Sequence, residues 1–519
     1  VPRSNDAGVA AGGERRAVLR NAASSYGARA LLAVSTLLLT PYLFRTLGAG
    51  GFGTWSVMFT LATVFSLLEL GFANGVTKLI AELRARGDRP ALDATMGASV
   101  TLMAVLGVGA LGLAAASGFL LDGLAAEGDA DEFRVGMLLL GAIMPLRFAG
   151  TAYGTALIGY GRYDRYNWGQ LVLAGGFPLA AVAAVEAGAG ITGIAAAYAA
   201  ALLGEAAVAG VLLRRTDPAL ALRPRLADSA TRRRLGRLGS FTLLADAMVF
   251  VGARMDTVLI AALRNAAAAA PYAAALKLQS ALQALALPFV NLLMPMVSEL
   301  WARGETAEVA RRLALTTRVA MQVTMPVALA LALFSEDLVG LWLGEDAVAT
   351  TATIVVLLAA TQVVTLTALP AEKALIGVGR VGVIGALAVV EGVVNVVLTI
   401  ILVSAHGAVG AAIATLVAYG VLAPARLPLA ARAIGMPLGE LVRRGLVGAF
   451  TSTLPPAAAM LAMLMALPAG GMRGVAGLVA GAAIAAAIGV AQVGPGELRR
   501  TFTGAGRRAG EPDPYPAEA

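Results

Sequence analysis

Apolar runs of about 20 residues recur along this chain from near Leu19 to near Val493, parted by short polar or glycine-rich breaks. A helix rises about 1.5 Å per residue, so one such run crosses the roughly 30 Å hydrocarbon core of a bilayer. Lipid offers no hydrogen bonds to a backbone, so spanning segments are helices or strands of a closed barrel. The length of the runs and their alanine and leucine content select helices, because barrel strands are shorter and alternate. Composition agrees. Of 519 residues, 58% are hydrophobic and 14% charged, against about 25% charged in soluble domains.

The reading is an all-α polytopic membrane protein with fourteen transmembrane helices. Twelve are expected near 19–43, 53–81, 93–121, 134–160, 168–187, 189–213, 237–262, 271–300, 310–334, 348–373, 381–404 and 407–431, and two more near 445–467 and 474–493. The first run follows a basic head but is too long for a signal peptide, so it reads as the first membrane helix.

Charge then orients the chain. With the N-terminus and the even-numbered loops on one side, that side holds 30 of the 40 Lys and Arg residues, and the opposite side holds Arg45, Arg134, Arg264 and Arg473. Basic loops are retained in the cytoplasm, so both termini are expected there. The densest stretch, Arg214 to Arg237, carries eight arginines against Asp217 and Asp228. It reads as a cytoplasmic linker held at the anionic inner surface of the membrane. The net charge of +8 is thus a matter of topology and does not point to nucleic acid. Cysteine is absent, which excludes disulfides and thiol chemistry.

The halves repeat. Ala156-Leu157-Ile158-Gly159-Tyr160-Gly161-Arg162 matches Ala374-Leu375-Ile376-Gly377-Val378-Gly379-Arg380 at an offset of 218, and the segment from Gly190 is echoed from Gly407 at 217. The offset equals six spans, which preserves orientation. Two parallel six-helix bundles are therefore expected, related by a pseudo-two-fold axis along the membrane normal. The organisation is an N-terminal tail 1–18, a first lobe 19–213, the linker 214–236, a second lobe 237–431, two further helices in 432–493 and a cytoplasmic tail 494–519. Two matched bundles around a central space form a transporter plan.

Polar residues inside spans mark the candidate cavity, because a charge at mid-membrane costs several kcal/mol unless it faces water or a partner. They are Arg29, Glu69, Asn74, Arg147, Asp246, Arg254, Asp256 and Lys277. Arg29 and Asp246 occupy equivalent places in the repeat. Arg254 and Lys277 would give a cavity a cationic lining suited to a phosphate or diphosphate, although each could instead pair with Asp256 or Glu299. Glu205 and Glu391 stand alone in their spans. Lys78, Glu299 and Arg318 lie near span ends and can snorkel. Tyr42, Phe44, Phe52 and Trp55 read as interface anchors on one side, and Tyr160, Tyr163, Tyr166 and Trp168 on the other. Gly48-Ala49-Gly50-Gly51-Phe52-Gly53 reads as a tight turn between helices. No phosphate loop follows it, and with His406 the single histidine no His-based metal site or cofactor is expected.

Several of these segments together resemble the polysaccharide-transporter branch (O-antigen flippase, Wzx-like) of the multidrug, oligosaccharidyl-lipid and polysaccharide exporter superfamily. They are Arg20-Asn21, the stretch from Thr40-Pro41-Tyr42 to Trp55, Leu67-Leu68-Glu69-Leu70-Gly71-Phe72, Arg254-Met255-Asp256-Thr257 and the paired Leu-Ile-Gly-x-Gly-Arg segments. The resemblance covers roughly residues 16–495. Such proteins often have Asp where this chain has Glu69.

The resemblance implies a V-shaped, MATE-like fold of two lobes around a cationic cavity, with two helices beside them. It implies a flippase, not an enzyme, that moves undecaprenyl-diphosphate-linked oligosaccharide from the inner to the outer leaflet of a bacterial cytoplasmic membrane. Arg29, Arg254 and Lys277 would then contact diphosphate or sugar acid groups. The implied partners are the lipid-linked glycan, anionic lipids and polysaccharide polymerase or assembly proteins, with a monomeric carrier. An ion-coupled drug or metabolite antiporter shares the plan and would show a carboxylate-lined cation site. A membrane glycosyltransferase or polymerase would need larger external loops than the one from Asp122 to Glu132.

Overall fold

The computed structural model describes the backbone of residues 4–224 and 254–493, and the side chains of 27–224 and 254–488 apart from 29, 70, 71 and 74. Every regular element among these residues is helical. In the first half they are α1 (Ser4–Phe65), α2 (Leu67–Arg86), α3 (Arg89–Leu120), α4 (Ala130–Gly159), α5 (Tyr163–Leu171), α6 (Phe177–Glu186) and α7 (Gly190–Thr216). A five-residue π turn, Val172–Gly176, joins α5 to α6. The second half holds α8 (Asp256–Leu263), α9 (Ala266–Ala302), α10 (Thr306–Leu333), α11 (Ser335–Leu343), α12 (Val348–Gly377), α13 (Val381–Leu422), α14 (Arg426–Ile434), α15 (Leu438–Leu441), α16 (Gly448–Ala466) and α17 (Gly471–Val493).

Eleven helical stretches among the described residues are long and apolar enough to cross a membrane. Two of them each merge two expected spans. In α1 the break is at Gly48 (φ 68°, ψ 178°), inside the glycine stretch read as a turn. In α13 it is at Gly407 (φ 59°, ψ −142°). Both conformations clash with a Cβ and so require glycine. The expected span 53–81 is also interrupted, at Ser66, so that α2 begins afresh at Leu67, two residues before Glu69. Of the span 237–262, only the end lies within the described residues.

The chain packs as two compact units. The first comprises residues 1–284, 339–358 and 385–418. The second comprises 285–338, 359–384 and 419–519.

In the first unit, α3 and α4 pack closely. A Cβ on Gly107 would stand 2.5 Å from the Met144 carbonyl oxygen and 2.5 Å from Pro145 Cα. Only glycine permits that backbone approach, as expected where membrane helices associate through small residues. Large apolar side chains turn outward instead: Leu146 is 70% exposed and Leu179 75%. Lipid is the solvent that accepts such a surface.

In the second unit, Leu293, Val297, Leu313, Leu375, Leu427 and Leu441 form one buried cluster. The amphipathic helix α14 contributes Leu427, Ala430, Ala431 and Ile434 to it. Its first residue, Arg426, is 6% exposed and lies 3.3 Å from the Glu372 carboxylate. A buried guanidinium needs such a partner.

Candidate functional site

A cavity of about 230 Å³ opens inside the first unit, between α1, α6, α7, α8 and α9. Its first wall is a ladder of hydroxyls. Ser35, Thr36 and Thr40 line it from the part of α1 before Gly48, and Ser56, Thr60 and Thr63 from the part after. Five of them donate to the carbonyl one turn back: Thr36 to Leu32, Thr40 to Thr36, Ser56 to Phe52, Thr60 to Ser56 and Thr63 to Phe59, at 2.7–2.8 Å. A hydroxyl bonded to its own helix is satisfied in apolar surroundings and keeps oxygen lone pairs for a ligand.

The second wall is aromatic. Trp55, Phe59, Phe177 and Tyr198 pack against one another in tilted and edge-on pairs, with ring centroids 5.0–6.0 Å apart. Phe52 and Trp55 therefore do not anchor a membrane interface, as their position near a span end suggested. They are 2% and 5% exposed and line the cavity. Glycine 48 turns the helix back, so residues just beyond it face the interior rather than the headgroups.

Two cations complete the lining, Arg254 just ahead of α8 and Lys277 on α9. The Lys277 ammonium lies 4.7 Å from the centroid of the Phe59 ring, a cation–π contact that stabilises a charge held away from water. Both residues are among the candidates named from the sequence. Thr257 also contributes to the cavity wall.

The other expected residues divide between two neighbouring clusters. Glu69 and Arg147 meet each other, with Arg147 Nη1 2.8 Å from Glu69 Oε1. Thr151 donates to the other Glu69 oxygen at 2.9 Å, and Arg147 donates to Ser66 Oγ at 3.2 Å. Asp256 is 2% exposed and accepts from Tyr272 at 2.5 Å and from Thr399 and Thr415 at 3.1 Å each. Asn395 donates to Thr415 at 3.1 Å. Asp246 and the side chains of Arg29 and Asn74 lie outside the described residues. Glu299, raised as a partner for Lys277, instead pairs with Arg303.

Sequence reasoning missed the aromatic wall and the hydroxyl ladder. The available signal was spacing: Thr36 and Thr40, then Ser56, Thr60 and Thr63, recur at three or four residues and so share a helix face. It also left Glu205 alone, whereas the amide of Gln170 donates to that carboxylate.

On the arginine-poor side of this unit, Arg45 donates to the carbonyls of Leu341 and Trp342 at 2.8 and 3.2 Å. These are the last free carbonyls of α11, a favourable place for a cation. On the arginine-rich side, Arg89 Nη1 lies 2.6 Å from Asp217, which also accepts from the Tyr160 hydroxyl at 2.7 Å. Asp93 accepts from the amide of Ala221 at 3.0 Å. The start of the linker is thereby fastened to α3.

A membrane-embedded helical unit with a cationic, hydroxyl-lined cavity narrows the field, and the sequence itself decides the family. Residues 18–301 match the profile of the family described as polysaccharide biosynthesis protein. The chain belongs to this family. No curated protein matches its sequence.

The family member has a MATE-like fold. Its structure is similar to an inward-facing multidrug resistance MATE family transporter of the MOP superfamily, with a TM-score of 0.69 and 15% identity over 79% of this chain and 96% of that one. It is also similar to the lipid II flippase MurJ in an inward closed conformation, with a TM-score of 0.70 and 11% identity over 91% and 98%. An outward-facing MATE transporter gives 0.60 and 15% over 82% and 97%. At these identities the likeness establishes the fold.

Proposed function

We propose that this polysaccharide biosynthesis protein is a flippase that carries undecaprenyl-diphosphate-linked oligosaccharide units from the inner to the outer leaflet of a bacterial cytoplasmic membrane. The observation that carries the reading is the cavity, with Arg254 and Lys277 set among hydroxyls and aromatic rings inside a membrane-embedded unit. A sugar diphosphate cannot enter hydrocarbon without losing its hydration, at a cost far above thermal energy. Guanidinium and ammonium groups replace that hydration for the diphosphate or a sugar acid. The hydroxyls serve sugar hydroxyls, and the rings offer apolar faces on which a pyranose can lie. No bond is made or broken in the glycan, so the protein acts as a carrier and not a catalyst.

The matched segments support two six-helix lobes, 19–213 and 237–431, related by an axis along the membrane normal, that rock to expose the space between them to each side in turn while the basic linker 214–236 tethers them. The remaining helices in 432–493 lie outside the repeat. The excess of basic residues in one set of loops supports cytoplasmic tails 1–18 and 494–519 and contact with anionic lipids. A polysaccharide polymerase is the natural recipient of the flipped unit, and the carrier works as a monomer. The similar structure of MurJ, a lipid II flippase, gives this fold a lipid-linked precedent.

The test is depletion followed by rescue. On depletion, the lipid-linked glycan of the native route accumulates on the inner leaflet. Wild-type protein restores its export, and Arg254→Ala at an equal protein level does not. Unchanged export by that variant removes Arg254 from the mechanism, and absence of any accumulating lipid-linked glycan refutes the flippase reading.

A further inference from the structure

The two walls of the cavity differ in whether their hydrogens are already spent. Thr36, Thr40, Ser56, Thr60 and Thr63 each donate to a carbonyl of their own helix. A hydroxyl has one hydrogen and two acceptor lone pairs, so each of these can offer a ligand only an acceptor. The α1 ladder therefore receives O–H and N–H groups of a ligand and gives no donor to a ligand carbonyl.

The aromatic wall has the opposite balance. Tyr198 is its hub, with its ring centroid 5.0 Å from that of Phe177, 5.3 Å from Phe59 and 6.0 Å from Trp55. Both Tyr198 and Trp55 border the cavity. Among the described residues, the Tyr198 hydroxyl and the Trp55 indole N–H make no hydrogen bond. Buried Tyr and Trp normally place these groups on an acceptor, and an indole nitrogen can only donate. The cavity is the space from which that acceptor comes.

Charge fixes which part of a sugar diphosphate reaches these donors. The Lys277 ammonium lies 4.7 Å from the centroid of the Phe59 ring, and that ring packs directly on Tyr198. One ring thus separates a cation from a neutral donor. In a sugar diphosphate, the substituent on the carbon next to the anomeric centre stands beside the phosphate in the same way. With the diphosphate at Lys277, this substituent falls among Tyr198, Trp55 and the two Phe rings.

Three demands meet there: an acceptor for the two donors, a donor for the ladder, and an apolar part for Phe59 and Phe177. A hydroxyl has no apolar part. A carboxylate has no hydrogen to donate and sets its charge against the negative faces of the rings. An acetamido group meets all three with its carbonyl, its N–H and its methyl.

We propose that the cavity selects glycans whose diphosphate-bearing sugar is an acetamido sugar, with Tyr198 and Trp55 as the specificity-determining donors to the acetamido carbonyl. The amide N–H is accepted by the α1 ladder, and the methyl lies against Phe59 and Phe177. As a statement about transported glycans this rests on the flippase reading, whereas the preference itself is a property of binding.

Two lipid probes that differ only at this position test it: undecaprenyl-diphosphate N-acetylglucosamine and undecaprenyl-diphosphate glucose. Each is bound to the purified full chain in nanodiscs. The wild type should bind the acetamido probe at least about tenfold more tightly, the ordinary scale for two added hydrogen bonds. Tyr198→Phe keeps the ring and removes one donor, and Trp55→Phe removes the other. Each should shrink the ratio about threefold, and the double variant should bring the two probes within about twofold of each other. A ratio of affinities is unaffected by the fraction of a variant that is folded. Equal affinities in the wild type overturn the proposal, as does an undiminished ratio in both single variants.

Movement between leaflets is read separately, in proteoliposomes with the same two probes. A wild type that prefers the acetamido probe in binding yet moves neither probe refutes the flippase reading and leaves the preference standing. A wild type that moves both probes and binds them alike keeps the flippase reading and refutes the preference.

Discussion

The indole N–H of Trp342 donates to the main-chain carbonyl of Leu37 at 2.8 Å. In an unbroken helix that carbonyl would accept from the amide of residue 41, and residue 41 is proline, which has none. Trp342 thus replaces the donor that Pro41 withholds. The contact lies beside Leu39 and Thr40 of the cavity wall. Together with the bonds from Arg45 to Leu341 and Trp342, it closes α1 against the end of α11.

This relationship predicts a specific non-additivity. Trp342→Phe keeps the ring and removes the donor, leaving a carbonyl without a partner at a cost of about 1–3 kcal/mol. In a Pro41→Ala background the helix supplies its own amide, so the same substitution should have at most half that effect. Thermal unfolding midpoints in detergent for the two single variants and the double variant measure the difference. Additive effects would show that Trp342 acts through packing alone.

A second prediction concerns Lys277. Its ammonium rests over Phe59, so the charge is held in place even in an empty cavity. Lys277→Met should lower glycan export about tenfold or more, as expected for the loss of one charge-assisted bond worth about 1.5–3 kcal/mol. Phe59→Leu removes only the cation–π contact and should lower export less than tenfold. Export measured at matched protein levels ranks the two, and a Phe59→Leu effect exceeding that of Lys277→Met refutes the assignment of the charge to substrate.

A third follows from Asp217, outside the spans. Burial alone would raise its carboxyl pKa, but hydrogen bonds from Arg89 and Tyr160 and the Arg89 charge prevail and hold it below the usual carboxylate range. A depressed folded value means that the stabilisation is fully present above the ordinary carboxylate pKa of about 3.9. It is lost as pH falls through the lower, folded value. Asp217→Asn should therefore be less stable than the wild type at neutral pH, by about 1 kcal/mol or less because Arg89 is partly solvated. The difference should vanish on strong acidification. Unfolding midpoints across that range test it, and a gap that widens towards low pH refutes the sign.

How far the sequence could be read depended on range. The apolar runs announced α3, α4 and α7 within a few residues, because span length is a local property. The turn at Gly48 was legible because glycine clusters there. Arg254 and Lys277 were nameable as candidates from the penalty for charge in lipid. Pairing was not legible. Glu69 and Arg147 were each marked as polar residues in spans, but their contact joins helices 78 positions apart, and no local pattern encodes it. The inward turn of Trp55 was hidden for a related reason, since the same sequence suits an interface anchor unless the course of the helix is known. The interruption at Ser66 had no composition signal, because Val64-Phe65 and Leu67-Leu68 on either side of it are apolar.

The last prediction uses α3 as its own control. A Cβ on Gly107 would meet the backbone of Met144 and Pro145 at 2.5 Å, and those atoms cannot swing aside as a side-chain end could. A Cβ on Gly109 or Gly112 of the same helix meets nothing within 4 Å. Gly107→Ala must therefore force α3 and α4 apart and should destabilise by about 1–3 kcal/mol, the usual effect of overpacking. Gly109→Ala and Gly112→Ala have the same composition change and should instead be neutral or stabilising by up to about 1 kcal/mol, through higher helix propensity. Unfolding midpoints of the three variants in one detergent decide the matter. Equal effects at the three sites would mean that α3 and α4 do not share the close backbone contact on which this packing depends.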